Sequence, residues 1–388
     1  MKIMQVHNRY IQLGGEDTVV SSERLMLENE GHEVSLFEIS NDVLISFLSK
    51  VKTALAANYS KNSRNLLAKQ LDKVQPDIVH VHNFFPLLTS SIYDACLSAS
   101  IPVVQTLHNY RPICPGGLLL RDGRICEKCI AHTPYSAVLH GCYRGSRLES
   151  FVVARMVDYN HKKKTWYEKV DGFIALTDFA KYKFVEGGFP KEKIYVKPNF
   201  TKGTFDGTKK SIKNDLYALY VGRLSQEKGL DVLLRAWKEI SLPIHIVGDG
   251  PMLSLVRNSV INSLVVFGRL PSERVSMKMS EANFLVLPSK WYEGFPMVLV
   301  EAFAHGLPVI ASKLGGMAEI IDDGVTGLLF EPGNSRDLAE KVLWMQYHPD
   351  KCKEMSENAR RVYLEKYTSK KNYKMLMQIY KKIINEYK

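Results

Sequence analysis

Short, nearly unbroken apolar runs recur along the chain, and between them apolar residues return every three or four positions. In the first half the runs are Lys2–His7, Glu33–Glu38, Asp77–Val81, Pro102–Leu107, Gly172–Leu176 and Lys193–Lys197. A second series comprises Leu216–Val221, Ile244–Val247, Leu264–Phe267, Asn283–Leu287, Pro308–Ala311 and Gly327–Phe330. Runs of this length suit parallel strands buried on both faces. The amphipathic stretches between them suit helices covering those faces, so each series predicts a doubly wound α/β sheet. Helical patterns at Ser335–Tyr347 and Asp350–Lys366 follow. The segment Ser369–Lys388 is a last helix, with Tyr373, Leu376, Met377, Tyr380 and Ile384 near helical spacing.

Pro198-Asn199 closes the first series, and the polar stretch Thr201–Asp215 reads as a linker. The expected organisation is therefore two Rossmann-like domains, residues 1–198 and 199–368, with helix 369–388 set apart. Facing domains of this kind put the C-terminal edges of both sheets on one cleft, where open α/β sheets bind ligands. A chain of 388 residues is too long for one ordinary core, which agrees with two domains. Its 45% hydrophobic and 24% charged residues are ordinary for soluble protein. No apolar run has bilayer length, and Met1–His7 is a strand rather than a signal peptide, so a cytoplasmic location is expected. The net charge of +11 points to an anionic partner. No nucleic-acid motif or aromatic ladder accompanies the basic residues, which ranks nucleic acid last.

The candidate chemistry gathers where strands give way to helices. After the run ending at Pro288 comes Glu293-Gly294-Phe295-Pro296-Met297-Val298-Leu299-Val300-Glu301, with Pro296 expected in the first turn of a helix that Gly306 and Pro308 end. Unpaired amides at such a helix start suit a diphosphate. Glu293 then stands beside whatever the diphosphate carries, and Glu301 further along the helix reaches a ribose. Taken alone, two glutamates at this spacing are also compatible with a solvated loop and helix surface. In Gly222-Arg223-Leu224-Ser225-Gln226-Glu227-Lys228-Gly229, two cations flank another strand–helix turn and can neutralise a diphosphate leaving group. No Asp-x-Asp pair is present to hold a divalent ion, so the scheme is metal-free. Gly14-Gly15 after the first strand offers close backbone approach to phosphate, or simply a tight turn. His108 follows another strand end and suits a sugar hydroxyl or proton movement, with His80 and His82 as weaker claimants. Gly268-Arg269-Leu270 suits a backbone that meets a nucleobase edge, and Gly315-Gly316 is a further close-approach loop.

Together GRLSQEKG, PSKWYEGFPMVLVEA and SKLGGMAEII resemble the retaining glycosyltransferases of family four, which have the GT-B fold, and the cysteine-bearing stretch leading into CYRGS is similar to those of surface-polysaccharide type. The resemblance covers essentially the whole chain and implies a nucleotide-sugar donor, UDP- or GDP-linked, held mainly by the second domain. It implies that Arg223 and Lys228 hold the diphosphate, that Glu293 and the amides of Gly294 to Val298 contact sugar and phosphate, and that Glu301 takes the ribose. His108 reaches the sugar from the first domain, and the last helix crosses back to that domain. Catalysis in such enzymes needs no metal. Attack occurs on the face the phosphate leaves, and the departing phosphate accepts the proton of the saccharide acceptor. A covalent role for Glu293 is not supported by sequence.

Between His108 and the next helix lie Cys114, Cys126, Cys129 and Cys142 in a stretch expected to lack regular structure. Only Cys126 and Cys129 have tight C-x2-C spacing, which leaves a structural zinc site and free thiols as open readings. Residues 41–74 and 144–169 are basic and amphipathic. They suit an anionic inner membrane face and hence a lipid-linked acceptor, or ordinary solvated helices. Alternative functions on the same fold are a sugar-nucleotide epimerase, a phosphorylase and a non-catalytic sugar-nucleotide sensor. A nicotinamide oxidoreductase is disfavoured because neither Gly14-Gly15 nor Gly248-Asp249-Gly250 completes G-x-G-x-x-G.

Overall fold

The computed structural model describes residues 1–10, 14–43, 47–203 and 216–387. Its strands are β1 (Lys2–Arg9), β2 (Glu33–Ser40), β3 (Ile78–Asn83), β4 (Val103–Thr106), β5 (Leu120–Arg121), β6 (Arg124–Ile125), β7 (Gly172–Ala175), β8 (Ile194–Val196), β9 (Ala218–Val221), β10 (Ile244–Val247), β11 (Leu264–Gly268), β12 (Phe284–Leu287), β13 (Val309–Ser312) and β14 (Gly327–Phe330). All but β5 and β6 fall on the apolar runs named above. They form two six-stranded sheets, ordered β2-β1-β3-β4-β7-β8 and β11-β10-β9-β12-β13-β14. Every pairing within both sheets is parallel. The fold is thus two Rossmann-like parallel sheets, as the alternating pattern predicts.

The chain divides into two compact units. One comprises Met1–Leu119, Cys126–Asn199 and Asn372–Lys388, and the other Leu120–Ile125 and Phe200–Lys371. Most of the expected linker, residues 204–215, lies outside the described residues. The last helix, Ser369–Tyr387, gives all but its first turn to the first unit. A Cβ on Gly172 would come 2.4 Å from Ile383 Cδ1, so this helix lies directly on β7.

Burial in the second unit shows why its strands are apolar throughout. Ala218, Tyr220, Ile244, Ile246, Phe284 and Val286 belong to one core. Their chain neighbours Leu219, Val247, Leu285 and Leu287 belong to the other. Side chains alternate faces along a strand, so a sheet covered by helices on both sides requires apolar residues at every position.

The strand order reverses between β1 and β3 in the first sheet and between β9 and β12 in the second. At such a reversal the connections run to opposite faces and leave a crevice beyond the strand ends.

The cysteine-bearing stretch corrects the expectation of an irregular loop. It folds locally into the β5–β6 hairpin and two short helices, Lys128–Ala131 and Ser136–His140. Asp122 and Gly123, with φ of 52° and 73°, form the two-residue turn of that hairpin. Two positive φ values in succession match the twist of the flanking strands, and Asp-Gly supplies them at little steric cost.

Gly229 gives a stability test. It has φ +71°, and an ideal Cβ there would lie 1.8 Å from the Pro288 carbonyl oxygen. Gly324 has φ +78° with nothing within 4 Å of such a Cβ. Gly324→Ala should cost only the left-handed strain of about 1–2 kcal/mol. Gly229→Ala must also push two backbone segments apart, so it should lower the thermal midpoint clearly further. Equal shifts in parallel melts would contradict the packing described.

Candidate functional site

In the second unit the chain leaves β9 through Gly222-Arg223 and β12 through Pro288–Glu293, side by side at the reversal of the sheet. The first exit is held to β10 by Gly222 N donating to Val247 O at 3.0 Å and Leu224 N to Asp249 O at 2.9 Å. A 3-10 turn, Gln226–Lys228, then runs into Gly229, whose backbone packs on Pro288. Lys290 N donates to Glu227 O at 2.8 Å and ties the two exits again. These backbone contacts bring together side chains distant in sequence. Lys228 Nζ donates to Glu293 Oε1 at 2.6 Å, and Ser289 Oγ donates to the same oxygen at 2.6 Å. The ammonium also lies 5.5 Å from the Trp291 ring centre. Glu293 is 6% exposed, whereas Arg223 is exposed and its carbonyl accepts from Tyr220 Oη at 2.9 Å.

The helix after this loop is Met297–Ala304, so Pro296 stands just before its first residue rather than within its first turn. No side chain caps this helix start. Phe295 and Val298 pack against the core, which leaves their backbone as the part that can face a ligand. Glu301 is half-buried, and its carboxylate makes no hydrogen bond or ion pair among the described residues. Burial raises its carboxyl above the usual carboxylate range. An unpartnered, partly desolvated carboxylate suits a diol, whose hydroxyls donate to it. Gly268, with φ +69°, already gives its carbonyl to Gly248 N at 2.8 Å. Arg269 is exposed, and Leu270 packs on the core. Gly315, with φ +53°, opens the short helix Gly315–Ile320 after β13.

In the first unit, Gly14 precedes the helix Gly15–Asn29, and its amide is taken. Asp17 Oδ2 accepts from Gly14 N at 2.7 Å while Asp17 Oδ1 lies 2.9 Å from His7 Nε2. The next-door Glu16 carboxyl is pushed up to about 8, by burial first and then by Asp17. The Asp17 carboxylate supplies the negative charge that this helix start attracts.

His108, just beyond β4, is joined to residues that the sequence does not connect. Its Nε2 lies 3.1 Å from His82 Nδ1, and His82 Nε2 lies 3.3 Å from Glu23 Oε1. His80 Nδ1 is 2.9 Å from the same carboxylate oxygen and 2.7 Å from Tyr380 Oη, and Lys197 Nζ is 3.5 Å from Glu23 Oε2. The ligand atoms of Glu23, His80 and His82 all lie within 4.8 Å of one another. Burial alone would raise the Glu23 carboxyl, but His80 and Lys197 draw it well below the carboxylate range. Burial and then His80 push His82 down to about 4, and burial and then His82 hold His108 well below the usual histidine range.

Glu23, the buried centre of this network, is a residue that the sequence reading missed. The signal was present: Val19, Val20, Glu23, Met26 and Leu27 are the buried stripe of the helix, and a carboxylate within such a stripe needs partners. Lys197 and Ser289 gave no comparable signal.

No disulfide joins the cysteines of the inserted stretch. Cys114 is buried and the other three are half-buried. Burial, then Cys114, Cys142 and Cys126 in turn, push the Cys129 thiol up to about 12. On the basic segments Leu55 and Leu148 are 73% and 76% exposed, and Leu139, just before the second, is 71% exposed. The side chains of residues 43–50 lie outside the description. Among the described residues no helix is long and apolar enough to cross a membrane.

Glu301 supplies a pH test. Its raised pKa means the folded state binds a proton more tightly than the unfolded state, so this group favours folding at low pH and loses that contribution as pH rises through its folded value. Glu301→Gln should therefore raise the thermal midpoint at pH 7, and the gain should vanish below about pH 4, where the unfolded carboxyl is also protonated. A variant less stable at pH 7 would show that Glu301 has a partner when ionised.

Residues 13–202 match the family model "Glycosyltransferase Family 4", and residues 204–362 match "Glycosyl transferases group 1". An uncharacterized glycosyltransferase of Methanocaldococcus jannaschii is 37% identical over 148 residues, covering 37% of this chain and 42% of that protein. The amylovoran biosynthesis glycosyltransferase AmsK of Erwinia amylovora is 28% identical over 191 residues, covering 44% and 46%. The chain thus matches about half the length of these relatives or less. Among solved structures, Anabaena HepE in complex with UDP-glucose superposes with a TM-score of 0.69 over 98% of this chain and 99% of that one at 18% identity, which shows a shared fold.

Proposed function

For a chain of glycosyltransferase family 4 and group 1 type on the GT-B fold, we propose transfer of a sugar from a nucleotide-diphosphate sugar to a saccharide acceptor, with retention and without a catalytic metal. The observation that carries this reading is the convergence of Lys228, Ser289 and Glu293 at the reversal of the second sheet, beside the uncapped helix start at Met297. Arg223 and Lys228 neutralise the diphosphate as it departs, assisted by the amides of Gly294 to Val298. Glu293, oriented by Lys228 and Ser289, accepts from sugar hydroxyls, and Glu301 accepts from the ribose. Gly14 and Gly15 and the Gly268–Leu270 backbone complete the donor contacts in this reading, and His108 takes a sugar hydroxyl. In the reaction the bond from the anomeric carbon to phosphate oxygen breaks. The acceptor oxygen bonds to that carbon on the same face, and its proton passes to the departing phosphate. The solved relative bound to UDP-glucose and the amylovoran relative support a nucleotide-sugar donor and a polysaccharide setting.

The same reading gives the acceptor a lipid anchor at an anionic inner membrane face. Exposed Leu139 and Leu148 stand near Arg144 and Arg147 in sequence, and Arg155 ties this region to Leu55 through a 3.5 Å bond to its carbonyl. It also gives Cys114, Cys126, Cys129 and Cys142 a structural zinc ion, on the C-x2-C spacing of Cys126 and Cys129 and the influence of the other three thiols on Cys129. Zinc below one equivalent in purified protein, with unchanged stability in Cys126→Ser, would remove that part. Flotation with anionic vesicles at low salt, lost at high salt, is the expected membrane result.

A thermal-shift screen of UDP-, GDP- and ADP-sugars tests the donor assignment, since a ligand of the folded state raises the midpoint. At least one series should shift it, and no shift with any of them overturns the assignment. With the stabilising donor, Lys228→Ala should lower turnover roughly a hundredfold. The exposed control Lys381→Ala should stay near wild type. Equal small effects would reject the leaving-group role.

A further inference from the structure

The chain of contacts from Glu23 through His82 to His108 has a direction. Glu23 is fully buried, and Gln5 Nε2, His80 Nδ1 and His82 Nε2 all approach its Oε1, at 3.3, 2.9 and 3.3 Å. A carboxylate can only accept, so His82 donates from Nε2. The 3.5 Å approach of Gln5 Nε2 to His82 Nε2 is two donors sharing that oxygen. A neutral His82 that carries its proton on Nε2 has a bare Nδ1. That nitrogen faces His108 Nε2 at 3.1 Å, with the two rings stacked at 21° and 5.3 Å between centres. His108 must then donate from Nε2, and its own Nδ1 is bare.

We propose that Glu23 and His82 are positioning residues that hold His108 as a single neutral tautomer, with the proton on Nε2 and an acceptor nitrogen at Nδ1. The ligand chemistry this selects is a hydroxyl that donates, as on a sugar, rather than an anion or a carbonyl. This rests on His108 being the sugar contact of the proposed function. The surroundings keep the relay neutral. Lys197, 2% exposed, balances the Glu23 charge from the Oε2 side, and Asn372 Oδ1 accepts from Lys197 Nζ at 3.0 Å. His82, shifted down by burial and then His80, and His108, shifted down by burial and then His82, stay uncharged near neutral pH. The His80 ring is spoken for at Nε2 by Thr106 Oγ1 at 2.7 Å, so it does not compete for His108.

The tautomer can be read directly. Long-range proton–nitrogen correlation spectra of the full chain with nitrogen-15 histidine, at pH 7, distinguish protonated from bare ring nitrogens, and loss of one set in His108→Gln assigns that ring. In wild type His108 should carry its proton on Nε2 alone. In Glu23→Gln the neutral amide can donate or accept, so His82 can turn over its proton and His108 should show both forms. His82→Leu should likewise lose the single form. A wild-type His108 protonated on Nδ1, or a single form unchanged in Glu23→Gln, overturns the proposal. If His82→Leu does not fold, wild type and Glu23→Gln still decide it. The functional reading fails separately: unchanged turnover in His108→Ala would remove the sugar contact and leave the tautomer result standing.

Discussion

The second unit depends on one ion pair and the backbone contact beneath it. Lys228 and Glu293 are 65 residues apart and meet only because β9 and β12 are neighbours at the sheet reversal. Gly229 packing on Pro288 sets the spacing of the two exits, and the 2.6 Å pair then spans them. Removing one partner of a fully buried pair costs about 3–5 kcal/mol. With 25% of the Lys228 side chain exposed, water recovers part of that loss. The pair therefore does more for orientation than for stability. It fixes a carboxylate and an ammonium against each other at the sheet reversal.

The first unit holds its polar residues by a different rule. Its charged carboxylate lies inside the core, where an unpaired charge is prohibitive and a satisfied network is tolerated. Glu23 meets that condition with Lys197, His80, His82 and Gln5, drawn from three strands or their ends, and the last helix closes the set through Tyr380 and Asn372. Buried networks of this sort specify one arrangement because any displacement leaves a donor or acceptor unpaired. His108 inherits that definition through His82.

Much of this was legible in the chain. Apolar runs covered on both faces mark parallel strands, and each run became one. Glycines and prolines marked the turns, including Gly306 before Pro308. What escaped was local chemistry that competes with pattern. The Asp122-Gly123 hairpin lay hidden inside a cysteine-bearing stretch read as irregular. The bond from the Gly14 amide to Asp17 at 2.7 Å is another local contact that the pattern does not show. Glu23 was passed over because a lone carboxylate in a helix is usually solvated, though its place in the buried stripe said otherwise.

By itself the sequence determined the two alternating series, the strand positions, the helix after Glu293 and the residue types available for phosphate and sugar. These follow from periodicity and turn chemistry, which act over a few residues. Only the tertiary structure decided which residues meet: Lys228 with Ser289 and Glu293, and His108 with His82 and Glu23. Those encounters depend on strand order, and strand order comes from how whole βαβ units pack, which no local pattern encodes.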